Sequence, residues 1–315
     1  MVARASDCTL YENTLAGVAT HEAHESRGLM PPAGSPTARR RELGSLLRSL
    51  RESKGLTTEQ AAQRLGFSRA KVSRLENGKR GASQYDVSQL CDLYEVDDEQ
   101  RARLGELAAE GKQRVWWQSL NLPYGDYIGL EAEAESISDY GLALVPGLLQ
   151  APDYARALVE AGAPMLAPHI VEERVQARIA RQRLLSSSRP PSFVAVLDES
   201  VLHRVVGNPT IMLGQLRQLI EMAQWPTVTI RIVPYDAGIV PAGVSKFVIL
   251  RTTLPDIADV VLIEELTGHH NYVEAPGDVE TYISTFRTLL HLSADPAAST
   301  AMILAKITAY ELRTR

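Results

Sequence analysis

Apolar residues recur at helical spacing through residues 38–111. Leu43, Leu46, Leu47 and Leu50 form one stripe, and Ala61, Ala62 and Leu65 a second. Val72 and Leu75 follow, then Val87, Leu90, Leu93 and Tyr94, and finally Leu104 and Leu107. The pattern predicts five short helices sharing one small core. Polar residues mark their ends. Thr57 with Gln60 three residues on has the form of a capping box, and Ser68 and Ser83 can each cap a helix. Gly66 stands between the second and third helices, where a turn needs positive φ. Small Ala62 lets the third helix cross the second closely. This is the spacing of a helix-turn-helix.

Beyond residue 130 the period changes. Val228, Ile230 and Ile232 alternate with Thr229 and Arg231 over 227–233, as in a half-buried strand. Residues 193–197, 247–250 and 259–263 are short β-rich apolar runs. Helices are expected from Glu131 onward in an acidic segment, and over about 153–161, 168–185, 208–223, 276–290 and 296–312. The fold class is therefore multidomain: an all-α five-helix domain over 38–111, then a mixed α/β or α+β domain over 131–315. Residues 112–130 read as an aromatic connector carrying Trp116, Trp117, Tyr124 and Tyr127, with the tryptophans packed between domains. Residues 1–37 read as an unstructured extension ending in the linker-like run 31–36.

Charge sharpens the picture. The chain holds 33 Lys+Arg and 38 Asp+Glu, net −5, yet residues 38–80 alone are +8 and the remainder −13. An acidic protein has gathered its positive charge around one helical unit, the footprint expected of phosphate binding. On the third helix Val72 and Leu75 face inward, whereas Ala70, Ser73, Arg74 and Asn77 face outward, flanked by Arg69 and Lys71. Arginine suits bidentate contact with guanine, and small residues suit the thymine methyl. Lys79 and Arg80 in the following basic turn suit phosphates.

The run from Leu43 through Leu47, Arg48, Arg51, Glu52, Gly55 and Thr57, then Ala62, Leu65, Gly66, Ser68 and 72–78, resembles the Xre family of phage-repressor-type regulators. That resemblance implies double-stranded DNA as partner and a recognition helix starting at Ser68. It implies base contacts from Arg69, Ala70, Lys71 and Arg74, with Thr58, Asn77 and Lys79 near phosphates. Glu131–Ala134, Leu144–Gln150, Asp153–Ala157, Arg174, Val175, Arg178, Arg181, Gln182, Leu197–Glu199 and Glu264–Gly268 resemble the domain that follows the helix-turn-helix in many actinomycete Xre-type regulators. Members are described as antitoxin-like regulators and are often encoded beside a small partner protein, which implies a role class and no mechanism.

No phosphate-binding loop, nucleophile elbow, dinucleotide fingerprint or Cys-x-x-Cys pair is present in the sequence. The chain is expected to be no enzyme and to need no cofactor or metal. His21-Glu22-Ala23-His24 lacks zinc-protease spacing. Cys91, at an apolar helix position, reads as a buried thiol. No apolar run reaches the ~20 residues of a membrane span and no secretory signal is visible, so no membrane partner is expected and the cytoplasm is the expected location. Asp198, Glu199, Glu264 and Glu265 end predicted strands near His203, His269 and His270. With Trp116 and Trp117 they are the candidate surface for a ligand or partner. The leading reading is a dimeric transcriptional regulator whose C-terminal domain senses a small-molecule effector or a partner protein. The alternative is an antitoxin-like protein that mainly binds a small partner and autoregulates through DNA.

Overall fold

The computed structural model of the chain describes residues 35–113, 125–238, 240, 245–252, 258–264 and 270–314. Five helices open it: α1 (Pro36–Ser53), α2 (Thr58–Leu65), α3 (Arg69–Glu76), α4 (Gln84–Tyr94) and α5 (Asp98–Glu110). Each starts where a side-chain oxygen accepts a backbone N–H left open by the first turn: Ser35, Thr57, Ser68, Ser83 and Asp97. The Thr57–Gln60 capping box forms, as expected, and Gly66 ends α2 in the left-handed region at φ 64°. Leu43, Leu47, Ala61, Leu75, Leu90, Cys91, Tyr94 and Leu104 fill the shared core.

α1 begins earlier than the expected residue 38, which corrects the extent of the N-terminal extension. Pro36 occupies its first turn, where a missing N–H costs nothing, and Ser35 is its cap. The end of the linker-like run is thus a helix start, with Ser35, Pro36 and Thr37 buried. The His21–His24 segment, Trp116, Trp117, Glu265 and His269 lie outside the described residues.

The second part opens with α6 (Gly125–Glu131) inside the segment read as a connector. The expected acidic helix from Glu131 does not form: α6 ends there, and residues 136–141 are strand β1 (Ser136–Gly141). Then come α7 (Pro152–Gly162), α8 (Pro168–Gln182), β2 (Ser192–Asp198), α9 (Ser200–His203), α10 (Pro209–Met222) and β3 (Val228–Val233). β4 (Phe247–Arg251), β5 (Val260–Glu264), β6 (His270–Val273), α11 (Pro276–Leu292) and α12 (Pro296–Thr314) complete the fold. The sheet is six-stranded, in the order β3-β2-β1-β4-β5-β6. β1, β2 and β3 run parallel, while β4, β5 and β6 pair antiparallel. From β1 the chain winds outward to β3, then returns to lay β4 on the other side of β1. β1 is therefore the strand at which the order reverses.

The sheet is buried on both faces. One face carries Ile137, Ala195, Leu197, Ile230, Val248 and Leu262 against Leu130, Tyr154, Leu216 and Ile307 of the helices. The other carries Tyr140, Val196, Phe247 and Val261 against Phe286 and Leu289 of α11. The β3 edge is closed by the α11–α12 junction, where Ala294 N donates to Ile232 O and Ser299 Oγ accepts from Ile232 N. Among the described residues no helix is long and apolar enough to cross a membrane.

Candidate nucleic-acid interface

α3 buries Val72 and Leu75 and leaves Arg69, Ala70, Arg74 and Asn77 exposed, with Ser73 half-buried beside them. Lys79 and Arg80 are exposed in the turn after the helix, and Thr58 is half-buried as the first residue of α2. One face thus gathers most of the expected DNA-contacting residues. Arg69 meets Glu59 of α2 at 2.6 Å, but its side chain is 73% exposed, so the pair is weakly held. Asn77 Nδ2 donates to Ser73 Oγ at 3.3 Å, one turn back on the same face.

Lys71 is placed differently. Its ammonium meets Asp86 at 2.5 Å and lies 3.4 Å from the centre of the Phe67 ring. Burial works to raise the Asp86 carboxyl, but Lys71 and the Ser83 donors outweigh it and hold the group below its ordinary range. Lys71 ties α3 to α4, and a base contact from it requires that pair to open.

The positive charge of α1 is also largely spoken for. Arg39 pairs with Glu42 and Glu110, Arg40 with Asp126, Arg41 with Glu274, Arg48 with Glu52, and Arg51 with Glu76. The local excess seen in the sequence is therefore in good part structural. Among the described residues of this region, Arg64, Arg74, Lys79 and Arg80 make no ion pair, and Arg74, Lys79 and Arg80 gather at α3 and the turn after it. Arg51 and Glu76 are both buried. Arg51 Nε and Nη2 donate to the two carboxylate oxygens at 2.7 and 3.1 Å, and Nη1 donates to Leu56 O at 2.6 Å. The Glu76 carboxylate holds the Arg51 guanidinium above its ordinary value.

α1 is clamped to the sheet domain. Ser35 Oγ donates to Gly129 O at 2.6 Å and Ser35 N donates to Glu133 at 2.5 Å. Arg41 pairs with Glu274 and lies 5.0 Å from the centre of the Tyr272 ring. A cleft of about 150 Å³ opens beside this contact, lined by Arg41, Ser45, Arg48, Glu76, Asn77, Ala258 and Glu274. Glu274 of the sheet domain and Asn77 of the DNA-facing surface thus share one cleft.

In the sheet domain the strand-end carboxylates do not converge. Asp198 accepts from Ser200 N at 2.8 Å and starts α9. Glu199 accepts from Tyr235 N at 2.8 Å and meets His203 at 3.2 Å. Glu264 pairs with Lys246 at 2.9 Å. β1 and β4 lie between β2 and β5, so Asp198 and Glu264 stand about 14 Å apart at about 4.8 Å per strand. Of His270, only the backbone is described.

Sequence reasoning missed the polar groups buried in this domain. Arg181 of α8 donates to both oxygens of buried Glu131 at 2.8 and 2.6 Å, and Arg178 donates to Gln150 at 2.9 Å. Asp139 lies mid-strand in β1, level with Ala195 and Ile230 on one side and Val248 and Leu262 on the other. It is 3% exposed, and its Oδ1 has no hydrogen-bond partner. Burial pushes its carboxyl up to about 6; Glu131 and Glu264 add to the rise, and Lys246 and Arg181 oppose it. A polar residue inside an apolar alternation was the available signal, and it is detectable only once 136–141 is known to be a strand.

A capped helix pair joined at a positive-φ glycine, with a basic exposed second helix, defines a helix-turn-helix DNA-binding regulator. A helix-turn-helix domain model matches residues 42–104. The chain belongs to the family of a domain of unknown function, DUF5753, whose model matches residues 124–305. No curated protein and no solved structure matches it.

Proposed function

We propose that this protein is a non-catalytic, sequence-specific transcriptional regulator, and that its sheet domain sets operator affinity through the clamp on α1. Arg69, Ala70, Ser73 and Arg74 read bases, and Thr58, Asn77, Lys79 and Arg80 hold phosphates. Two copies bind one operator, because one short helix reads too few base pairs for selectivity. The observation that carries the reading is the cleft shared by Asn77 and Glu274, next to the Arg41–Glu274 pair. Whatever moves Glu274 alters the electrostatics beside a phosphate contact. By linkage, an effector that changes operator affinity has its own affinity changed by operator by the same factor.

Selection from random duplexes tests the first part, with a discrete repeated site expected; a pool without enrichment overturns it. On the recovered operator, Arg74→Ala is expected to lose about 1–3 kcal/mol of discrimination at one base pair. Unchanged discrimination at every position removes Arg74 from the reading set. Lys79→Ala is expected to weaken all sequences alike and to lower the salt slope by about one. Glu274→Gln tests the clamp. Removing a carboxylate from the cleft is expected to tighten operator binding roughly two- to fivefold, the range of an exposed charge pair. Equal or weaker binding rejects the coupling route. A co-purified small protein that binds without changing operator affinity favours the antitoxin-like reading instead.

A further inference from the structure

The cations of α3 are not equally free. Arg69 meets Glu59 with both side chains more than half exposed, and exposed Arg74 makes no ion pair among the described residues. Lys71 is held by Asp86, whose side chain is 7% exposed, and its ammonium also lies over the Phe67 ring. Asp86 is set in place without help from Lys71. It is the third residue of α4, where its Oδ2 accepts from Ser83 N at 3.1 Å and its own N–H donates to Ser83 Oγ at 3.0 Å. Such a capping box needs one acceptor oxygen, and an uncharged amide serves it as well as a carboxylate. The charge of Asp86 is therefore not needed for the cap, and Oδ1 is left to take the Lys71 ammonium. Lys71 stands in the first turn of α3, and it is the N-terminal part of a recognition helix that meets base edges. A lysine there can donate to guanine O6 and N7. Opening the pair would strip the cation from a buried carboxylate, a larger loss than one lysine–guanine contact returns.

We propose that Asp86, which lies outside α3, determines which base pairs α3 reads. It withholds Lys71 from DNA, so the base pair facing the third residue of α3 goes unread and selection rests on Arg69 and Arg74. The effect is subtractive: the same α3 beside an α4 lacking this carboxylate prefers guanine at one further position. This deepens the DNA-reading assignment made above and rests on it.

Selection from random duplexes with the full-length parent and with Asp86→Asn tests it, with circular dichroism to check the fold. The one carbonyl oxygen of an amide at 86 serves Ser83 N, and its NH2 offers Lys71 no acceptor, so the cap is expected to stay and the lysine to be released. Asp86→Asn is expected to gain a guanine preference at one base pair that the parent ignores, with roughly five- to a hundredfold discrimination there. Asp86→Asn combined with Lys71→Met leaves no unmatched charge and is expected to return to the parent's preferences at every base pair. Where Asp86→Asn alone does not fold, the double variant decides, since a discrimination lost with it assigns base reading to Lys71. That loss, an operator unchanged by Asp86→Asn, a gain that survives Lys71→Met, or a tightening equal for all sequences overturns the role of Asp86 and leaves the DNA-reading assignment standing. A parent that enriches no site overturns both.

Discussion

Glu76→Ala is expected to destabilise the helix-turn-helix region by about 3–5 kcal/mol, the cost of breaking a buried ion pair from one side. Glu76 is the last residue of α3 and Arg51 lies in the last turn of α1, so their two-bond contact fixes one helix on the other. Without the carboxylate, the buried Arg51 guanidinium keeps its bond to Leu56 O and a weaker pairing with half-exposed Glu52. Replacing both partners by apolar residues of similar size, Arg51→Met with Glu76→Leu, is expected to recover most of the loss, because no unmatched charge then remains. Urea unfolding of the single and double variants measures both effects. A single variant within 1 kcal/mol of the parent, or a double variant worse than the single, contradicts the assignment. Operator binding is expected to fall with Glu76→Ala even where the protein stays folded, since the end of α3 that carries Asn77 loses its anchor.

Asp139→Asn is expected to have the opposite sign. The native carboxyl titrates at about 6 against an ordinary 3.8, so the folded state holds its proton more tightly than the unfolded state. Between those values the folded state carries a proton that the unfolded state has released. Stability therefore falls as pH rises through that window, and the full cost, about 3 kcal/mol at about 1.4 kcal/mol per pH unit, is present above it. An amide at 139 removes the charge but remains an imperfectly matched polar group. The variant is thus expected to be more stable by about 1–3 kcal/mol at pH 7.5 and near parity at pH 4. The difference between parent and variant across pH 4–7.5 isolates this one group from the other carboxyls. A variant less stable than the parent at pH 7.5, or a difference that does not vary with pH, defeats the argument.

Elements with local causes were legible in the sequence. Thr57 and Gln60, Gly66 and Ser68 act within a few residues, and Val228–Val233 shows its alternation by itself. What was misread depends on distant partners. Residues 136–141 carry Ser136, Ser138 and Asp139 and look unlike a strand, but β2 and β4 flank them on both sides and settle the conformation. The alternating Glu and Ala of 131–135 suggested a helix that the sheet does not permit. The arginines of α1 looked like DNA ligands because their partners Glu110, Asp126 and Glu274 lie far along the chain. Arg181 and Glu131 are separated in the same way. Charge counting locates positive residues and says nothing of which are neutralised at home.

The fit of α1 against Gly129 bears on how such regulators can be rebuilt. A Cβ at residue 129 would lie 2.5 Å from Cβ and Oγ1 of Thr37, and the carbonyl of Gly129 receives the Ser35 hydroxyl. Cutting between residues 111 and 131 separates two stretches of chain but leaves this contact surface divided between donor and host. A chimera that keeps the sheet domain and takes residues 35–111 from another protein brings a foreign helix onto a socket shaped for Ser35, Thr37 and Ala38. Recombined reporters made from this scaffold are expected to hold together where residues 35–38 travel with α6, so the unit of exchange is a matched surface and not a length of sequence.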